Sequence, residues 1–565
     1  MPANRTWLSA RRTALATLGI SWCVLLGGVA ACGDDSEATS GPGGGGGAGG
    51  APSTSSSGGG GEGTGGEDGT GGEGGEDGTG GAGGEDGTGG AGGEDGTGGA
   101  GGEDGTGGED GTGGAGGEDG TGGAGGEDGT GGAGGEDGTG GEEPWARGFA
   151  GVVALDEAAD DRFWAVAFDA ESRAYAAGHV AVGSDTYMAV ARFNTDGSFD
   201  TTFGTNGIAR VNVVAGGPAE TARGIVLQSD GKVVLAGNVE HDPSLTQPDA
   251  DLAVVRFNAD GTLDTTFGTD GIAIHDLGAG EGNTGDMLWN VDRDADDRLV
   301  LFASKKAADR ADRDRAIVRL TASGALDTTF ATDGVHTLDV DGLNLGDNPR
   351  NGFVQADGKI VSSGYTNVGG RNQIVLLRLN ADGTPDTTFS ADGVVRLSPF
   401  PVGMAEAYGA ARQSDGKYVT TGYGRAEESG AVDLVSFRVT AAGGFDASWG
   451  VNGGVLLDVA GDNDRGRNLL ALPDDRIVMV GSATPATGNV DAMIAVFDPN
   501  GAPDTRFDPG GHRLYGFERS DDALFGVALS PDGAWIAAAG YRSDGNGPED
   551  DDATLVLLPV PAQRD

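Results

Sequence analysis

Seven positions, each about 60 residues from the next, carry side chains suited to gripping an anion or a sugar: Trp164, Arg223, Trp289, Arg350, Tyr408, Arg467 and Phe525. Aromatic residues and arginine alternate along the series. A guanidinium offers a rigid fork of N–H donors and stacks on aromatic faces, and the rings themselves offer flat apolar surface to a sugar. The same alternation also suits self-packing, because each arginine between two rings gains roughly 0.5–2 kcal/mol per cation–π pair. The series therefore reads either as a ligand site or as a plug.

Other chemistry is thin. The five histidines (His179, His241, His275, His336, His512) are scattered singly and have no metal-ligand spacing. There is no Gly-x-Ser-x-Gly elbow. A run such as Asn258, Asp260, Thr262, Asp264 has carboxylates near calcium-loop spacing, but Asp-Gly followed by Asp-Thr-Thr-Phe is first a pair of capped turns. The expectation is no cofactor, with calcium on these carboxylates as the weaker alternative. A hydrolase or lyase using channel carboxylates is the enzymatic alternative to a binding role.

The elements that position the seven residues come from a repeat. Asp200-Thr201-Thr202-Phe203 recurs at Asp264, Asp327 and Asp386 as Asp-Thr-Thr-Phe, then as Asp446-Ala447-Ser448-Trp449 and Asp504-Thr505-Arg506-Phe507, at steps of 64, 63, 59, 60 and 58 residues. A period held this closely means a repeat architecture. Each unit contains four short runs rich in β-branched residues and bounded by Asp-Gly or Gly: Gly224–Gln228, Lys232–Gly237, Leu252–Phe257 and Ile272–Ile274 in the clearest copy. The first run recurs seven times. Four strands in sevenfold repetition predict an all-β fold, a seven-bladed β-propeller. The last unit, from Phe525 to Leu558, lacks its fourth strand, and the run Phe149–Leu155 is left over at the start; the two are expected to close the ring by pairing. Arg192, Arg256, Arg319, Arg378 and Arg438 each precede a turn loop and are expected to pair with its aspartate, while Phe267 and its counterparts wedge between blades.

The segments QSDGKVVLAG (228–237) and LAVVRFNADGTLDTTFGTDG (252–271), with their copies, resemble the delta-60 repeat family. The resemblance covers Trp145 to about Pro559 and implies a β-propeller. It implies no activity, since that family is defined by its fold.

Residues 1–31 form a basic start (Arg5, Arg11, Arg12) and an apolar run, the pattern of a secretory signal. Val29-Ala30-Ala31-Cys32 resembles the lipobox of bacterial lipoproteins, with valine in place of the usual leucine, and implies a lipid on Cys32. Cys23 lies in the removed segment, so the mature chain keeps one cysteine and no internal disulfide. Residues 32–144 are a Gly-rich acidic linker with 25 carboxylates and no Lys or Arg. It has too little apolar surface to fold, and it lacks the large apolar residue that each copy of a calcium-binding β-roll requires. As a coil it spans roughly 55–65 Å. Without these 25 acids and the three signal arginines, the formal charge of −51 falls to about −29 for residues 145–565, which repels nucleic acid.

These residues predict an exported, lipid-anchored, monomeric protein of the bacterial cell envelope, at the outer membrane or cell surface. Its propeller is expected to bind a glycan, an anionic small molecule or a protein without catalysis. A structural spacer is a third reading. Function is expected on the face where the loops vary (Glu240–Asp251, Lys305–Arg315, Tyr541–Asp552), because the repeated turns occupy the other.

Overall fold

The protein is described by a computed structural model covering residues 145–561, apart from 156–159, 184, 217–219, 242–248, 279–285, 307–311, 341, 343–345, 518–520 and 544–550. The expected signal segment, Cys32 and the acidic stretch to residue 144 lie outside the described residues. No described residue is helical.

Seven antiparallel sheets follow one another along the chain. The second is typical: Thr221–Leu227 is innermost, followed outward by Val233–His241, Asp249–Phe257 and Ile272–His275. The inner strands pack side by side, and Asp161–Phe168 of the first blade touches both Thr221–Leu227 of the second and Asp521–Leu529 of the last, so the circle is closed. The predicted seven-bladed propeller is the observed fold. Its core is a set of apolar layers between neighbouring sheets, such as Tyr175, Val190 and Phe203 against Ile225, Leu235 and Val255. This explains why the middle strands are apolar on both faces.

The repeated phrase fastens blade to blade. Asp264 Oδ1 accepts from the Thr266 amide (3.1 Å) and hydroxyl (2.6 Å), which turns Phe267 into the next inter-blade layer. Arg256 donates from Nε to Asp264 Oδ2 at 2.8 Å, stacks over Phe267 at 4.6 Å, and donates from Nη1 to the Ala322 carbonyl of the next blade at 2.6 Å. The Gly268 amide crosses to the Ser323 carbonyl at 3.0 Å. The aspartate pairs of Arg192, Arg319, Arg378 and Arg438 match at 2.7–2.8 Å. The phrase is structural, as its even repetition implied.

Two of the tight turns read Asp-Asp-Arg rather than Asp-Gly-Lys, and the structure gives the reason. Asp297 and Asp475 hold φ near +58° and +65°, a conformation that normally favours glycine. In return, Asp475 accepts from the Ser414 amide (2.6 Å) and hydroxyl (2.5 Å) of the preceding blade, and Asp297 binds Ser229 in the same way. The side chain is a second clasp.

The N-terminal run closes the ring as predicted. Phe149–Val153 pairs antiparallel with Asp551–Pro559, from Phe149 opposite Leu557 to Val153 opposite Ala553. The residues just before it do more than sequence suggested. In the sixth blade Val496 stands where the fastening arginine would be, and no described residue of the last blade forms the turn on which Phe507 would rest. Trp145 fills that place, edge-on to Phe507 at 5.3 Å, while Arg513 stacks over Phe507 at 4.2 Å and donates to the Trp145 and Ala146 carbonyls at 3.1 and 3.2 Å.

Candidate ligand-binding site

All seven residues of the alternating series meet in one ring around the channel. Arg223 lies 4.1 Å over Trp164 and 5.7 Å from Trp289, and Arg350 lies 4.1 Å over Trp289 and 4.7 Å from Tyr408. Arg467 lies 4.9 Å from Tyr408 and 5.2 Å from Phe525. Because seven is odd, alternation must fail once, and there Trp164 meets Phe525 edge-on at 4.5 Å. Every guanidinium is sandwiched between two rings.

A backbone device aims these side chains. The inner strands begin earlier than their apolar runs suggested, so the ring residue does not open its strand but sits within it. Six of the seven are the extra residue of a β-bulge: pairing steps from Phe163 to Ala165, Ala222 to Gly224, Leu288 to Asn290, Pro349 to Asn351, Gly466 to Asn468 and Leu524 to Gly526. Tyr408 lies in the break between Met404–Ala405 and Gly409–Arg412. A bulge leaves its extra residue unpaired and turns its side chain out of the ladder.

Two further layers flank the ring. Toward the repeated turns, the next residue in each strand is small or an asparagine: Asn290 Nδ2 donates to Asn351 Oδ1 at 2.5 Å, and Asn351 Nδ2 donates to Asn468 Oδ1 at 2.8 Å across the gap left by Gly409. Toward the variable loops stands a layer that sequence reasoning missed. Asp161, Glu220, Asp286, Asp347, Glu406, Asp464 and Asp522, one per blade, are all buried. Most accept backbone N–H groups from the loop entering their blade: Leu155 on Asp161 (2.7 Å), Leu277 on Asp286 (2.8 Å), Val340 on Asp347 (2.7 Å) and Phe517 on Asp522 (2.8 Å). Burial pushes Glu220 and Asp464 up to about 7, and Asp286 and Asp347 up to about 6, against the opposing pull of those amides. Reading back three positions from each ring residue exposes this acid in six blades; Glu406 is displaced by one.

The ring residues stack on one another around the channel, yet they are unevenly covered. Arg350 and Tyr408 are 8% and 9% exposed, whereas Trp164, Arg223, Trp289, Arg467 and Phe525 are half-buried. On this more open arc, the indole Nε1 atoms of Trp164 and Trp289 are buried without a hydrogen-bond acceptor among the described residues. Such a donor costs about 1–3 kcal/mol if left unmet. Both flank Arg223.

Of the histidines, His275 and His512 bond the Gly324 and Gly510 carbonyls at 3.0 and 3.1 Å. His179 does more: Nδ1 lies 3.0 Å from Thr221 Oγ1 and Nε2 lies 3.5 Å from Asp160 Oδ2, with Arg162 Nε 3.3 Å from the same carboxylate. Burial lowers the His179 pKa against the pull of Asp160. The carboxylates of the repeated turns bond within their own turns, as with Asp260, which accepts from the Thr262 amide (3.0 Å) and hydroxyl (2.7 Å). The residues that could hold a cation lie instead on the variable face, where Asp249/Asp251/Asp276, Asp314/Asp339/Asp347 and Asp433/Asp458/Asp464 bring three oxygens within 4.8 Å.

Four stretches, residues 175–203, 228–267, 311–330 and 355–389, match the family described as "Domain of unknown function (DUF5122) beta-propeller". The chain is a β-propeller repeat protein. No curated protein sequence is significantly similar to this propeller. Among solved structures it is similar to a protein of unknown function from Dyadobacter fermentans, at 12% identity and a TM-score of 0.37 over 74% of this chain and 99% of the other. It is similar also to the polysaccharide lyase Uly1 (9% identity, TM-score 0.43, 70% and 89% covered) and to the Trypanosoma rangeli sialidase (11%, 0.35, 60% and 53% covered). At these values the likenesses concern the fold alone.

Proposed function

We propose that this propeller is a non-catalytic binding module, held to a membrane by lipid on Cys32 and the acidic linker, that takes a carboxylate- or sulfate-bearing sugar at the Trp164–Arg223–Trp289 arc. The observation that carries the reading is the pair of buried indole N–H groups lacking an acceptor on either side of a guanidinium. An anionic group supplies acceptors to both indoles beside the positive charge of the guanidinium, and the aromatic faces suit a sugar ring. The arc is local positive charge in a strongly acidic chain, which favours a small anion that reaches the ring over a large polyanion that meets the whole surface.

The test is titration calorimetry of the full chain with glucuronic acid, N-acetylneuraminic acid and a sulfated uronate disaccharide. At least one should bind, and Arg223→Ala with Arg350→Ala should abolish it. Failure of the wild type to bind any of them would return the ring to a plug alone.

The Thr221–His179–Asp160 line favours a second reading, a propeller hydrolase. In it a neutral His179, oriented by Asp160, accepts the Thr221 proton. Ester or glycoside turnover that disappears in His179→Asn would support it; turnover unchanged in that variant, or none at all, would dismiss it.

A further inference from the structure

Beyond the asparagine layer the channel reopens. On the side of the repeated turns lies a cavity of about 500 Å³, within the range that takes small ligands. It lies on the turn side of the aromatic ring, lined by residues such as Val166 and Val226, two and three positions beyond Trp164 and Arg223. Its walls come from the turn-side ends of inner strands, chiefly Val166, Ile225, Val226, Leu227, Val354 and Ala528.

One inner-strand level of this wall carries a charge. Three positions beyond the ring residue, the blades carry Ala167, Val226, Asp292, Phe353, Ala411, Leu470 and Ala528. Asp292 is the single charge at that level. Its Oδ2 accepts from the Val354 amide of the next blade at 2.8 Å and its Oδ1 from the Arg293 amide at 2.7 Å, so each oxygen keeps a lone pair. The cavity's other polar side chains are committed elsewhere. Arg293 is drawn to the Leu227 carbonyl (2.6 Å) and Asp297 (3.0 Å), Asp294 to its own turn and to Arg298 (2.7 Å), and Gln355 to the Tyr418 hydroxyl (3.0 Å). Burial raises the Asp292 pKa despite the two amides and the neighbouring guanidinium. A cation placed beside it would reverse that shift.

We infer that this turn-side cavity is a second, separate binding site, for a compact apolar amine whose ammonium group pairs with Asp292. A hydrocarbon body of six to eight carbons matches the aliphatic wall, and the acidic surface favours a cation over an anion.

The experiment is calorimetric titration of the full chain with phenethylamine, its neutral counterpart 2-phenylethanol and the anion 3-phenylpropionate. Wild type should bind the amine at least tenfold more tightly than the alcohol and show no binding of the acid. Asp292→Asn should erase the amine preference while alcohol binding persists. Val226→Trp, which fills the cavity without touching the carboxylate, should abolish both. Arg223→Ala with Arg350→Ala should change neither, which separates this site from the ring. Amine and alcohol binding equally, amine binding untouched by Val226→Trp, or no amine binding would each overturn the inference.

Discussion

Phe149 lies on Gly197 as Phe203 lies on Gly261: a Cβ added to either glycine would come within 2.5 Å of the Phe149 ring and 3.1 Å of the Phe203 ring. The first contact is made by the N-terminal strand and the second by an Asp-Thr-Thr-Phe phrase. The chain's start thus supplies the seventh inter-blade wedge, which the last blade lacks, and Trp145 covers the sixth. Residues 145–153 replace a whole set of fasteners with one short segment.

Deleting residues 149–155, or changing Phe149 to Ala, should therefore destabilise the entire ring. For the half-buried Phe149 we expect a loss of about 2–3 kcal/mol, toward the low end for a large aromatic truncation. Urea unfolding of the full chain measures it, and an unchanged midpoint would mean that the ring closes without this strand.

Arg256 is 7% exposed and joins Asp264, Phe267, Gln228 and the next blade's Ala322 through one planar group. Arg256→Ala should cost about 3–5 kcal/mol, because it takes the guanidinium from a buried carboxylate and from the Ala322 carbonyl. Arg256→Lys should recover less than half, since an ammonium cannot bond in several directions within one plane. Full rescue by lysine in thermal unfolding would show that only the charge matters.

At Asp475 the clasp and the backbone pull in opposite directions. Asp475→Ala keeps the positive φ and loses Ser414, at a cost of about 1–2 kcal/mol; Asp475→Gly loses the clasp but relieves the backbone, and should fall between alanine and wild type. The order of the three melting temperatures is the readout. Glycine melting below alanine would refute the account of the Asp-Asp turns.

Two sets of carboxylates should give stability a maximum in mildly acidic solution. Burial opposes ionisation of Asp264 and Asp446, but hydroxyl and amide donors and an arginine outweigh it and hold both at about 2, so their contribution is complete above about pH 4 and is lost as pH falls through 2. Glu220 and Asp464 are raised to about 7, and Asp286 and Asp347 to about 6. Their contribution is complete below about pH 4 and is lost as pH rises through 6–7. Melting temperature should peak near pH 4–5, and Asp464→Asn should flatten the descent toward pH 8. A curve that rises steadily to neutrality would contradict the buried acid layer.

The architecture was legible because its determinants are local and repeated. Asp-Thr-Thr-Phe fixed the period, and aligning on Asp-Gly placed Trp164 through Phe525 in one series. The acid layer escaped notice because Asp161 and its counterparts lie outside the apolar runs, where strands continue through polar residues that the loop amides satisfy. Asp292 was hidden differently. Beside Arg293 and Asp294 it reads as part of a solvated turn, and only the approach of Val354 from the next blade shows it to be wall. Trp145 reads only as the first residue of the propeller, and its role shows in the contact with Phe507, more than 360 residues away. Contacts between distant copies carry no local signature.

The central claim, that the ring is a ligand site and not only a seal, is most directly tested at the two indoles. In ¹⁵N-labelled full chain, titration with a sulfated uronate disaccharide should shift the Nε1–H resonances of Trp164 and Trp289 together, leave those of Trp145, Trp449 and Trp535 in place, and do nothing in the Arg223→Ala, Arg350→Ala protein. Silence at Trp164 and Trp289 throughout the titration would contradict the account and leave the ring as a plug.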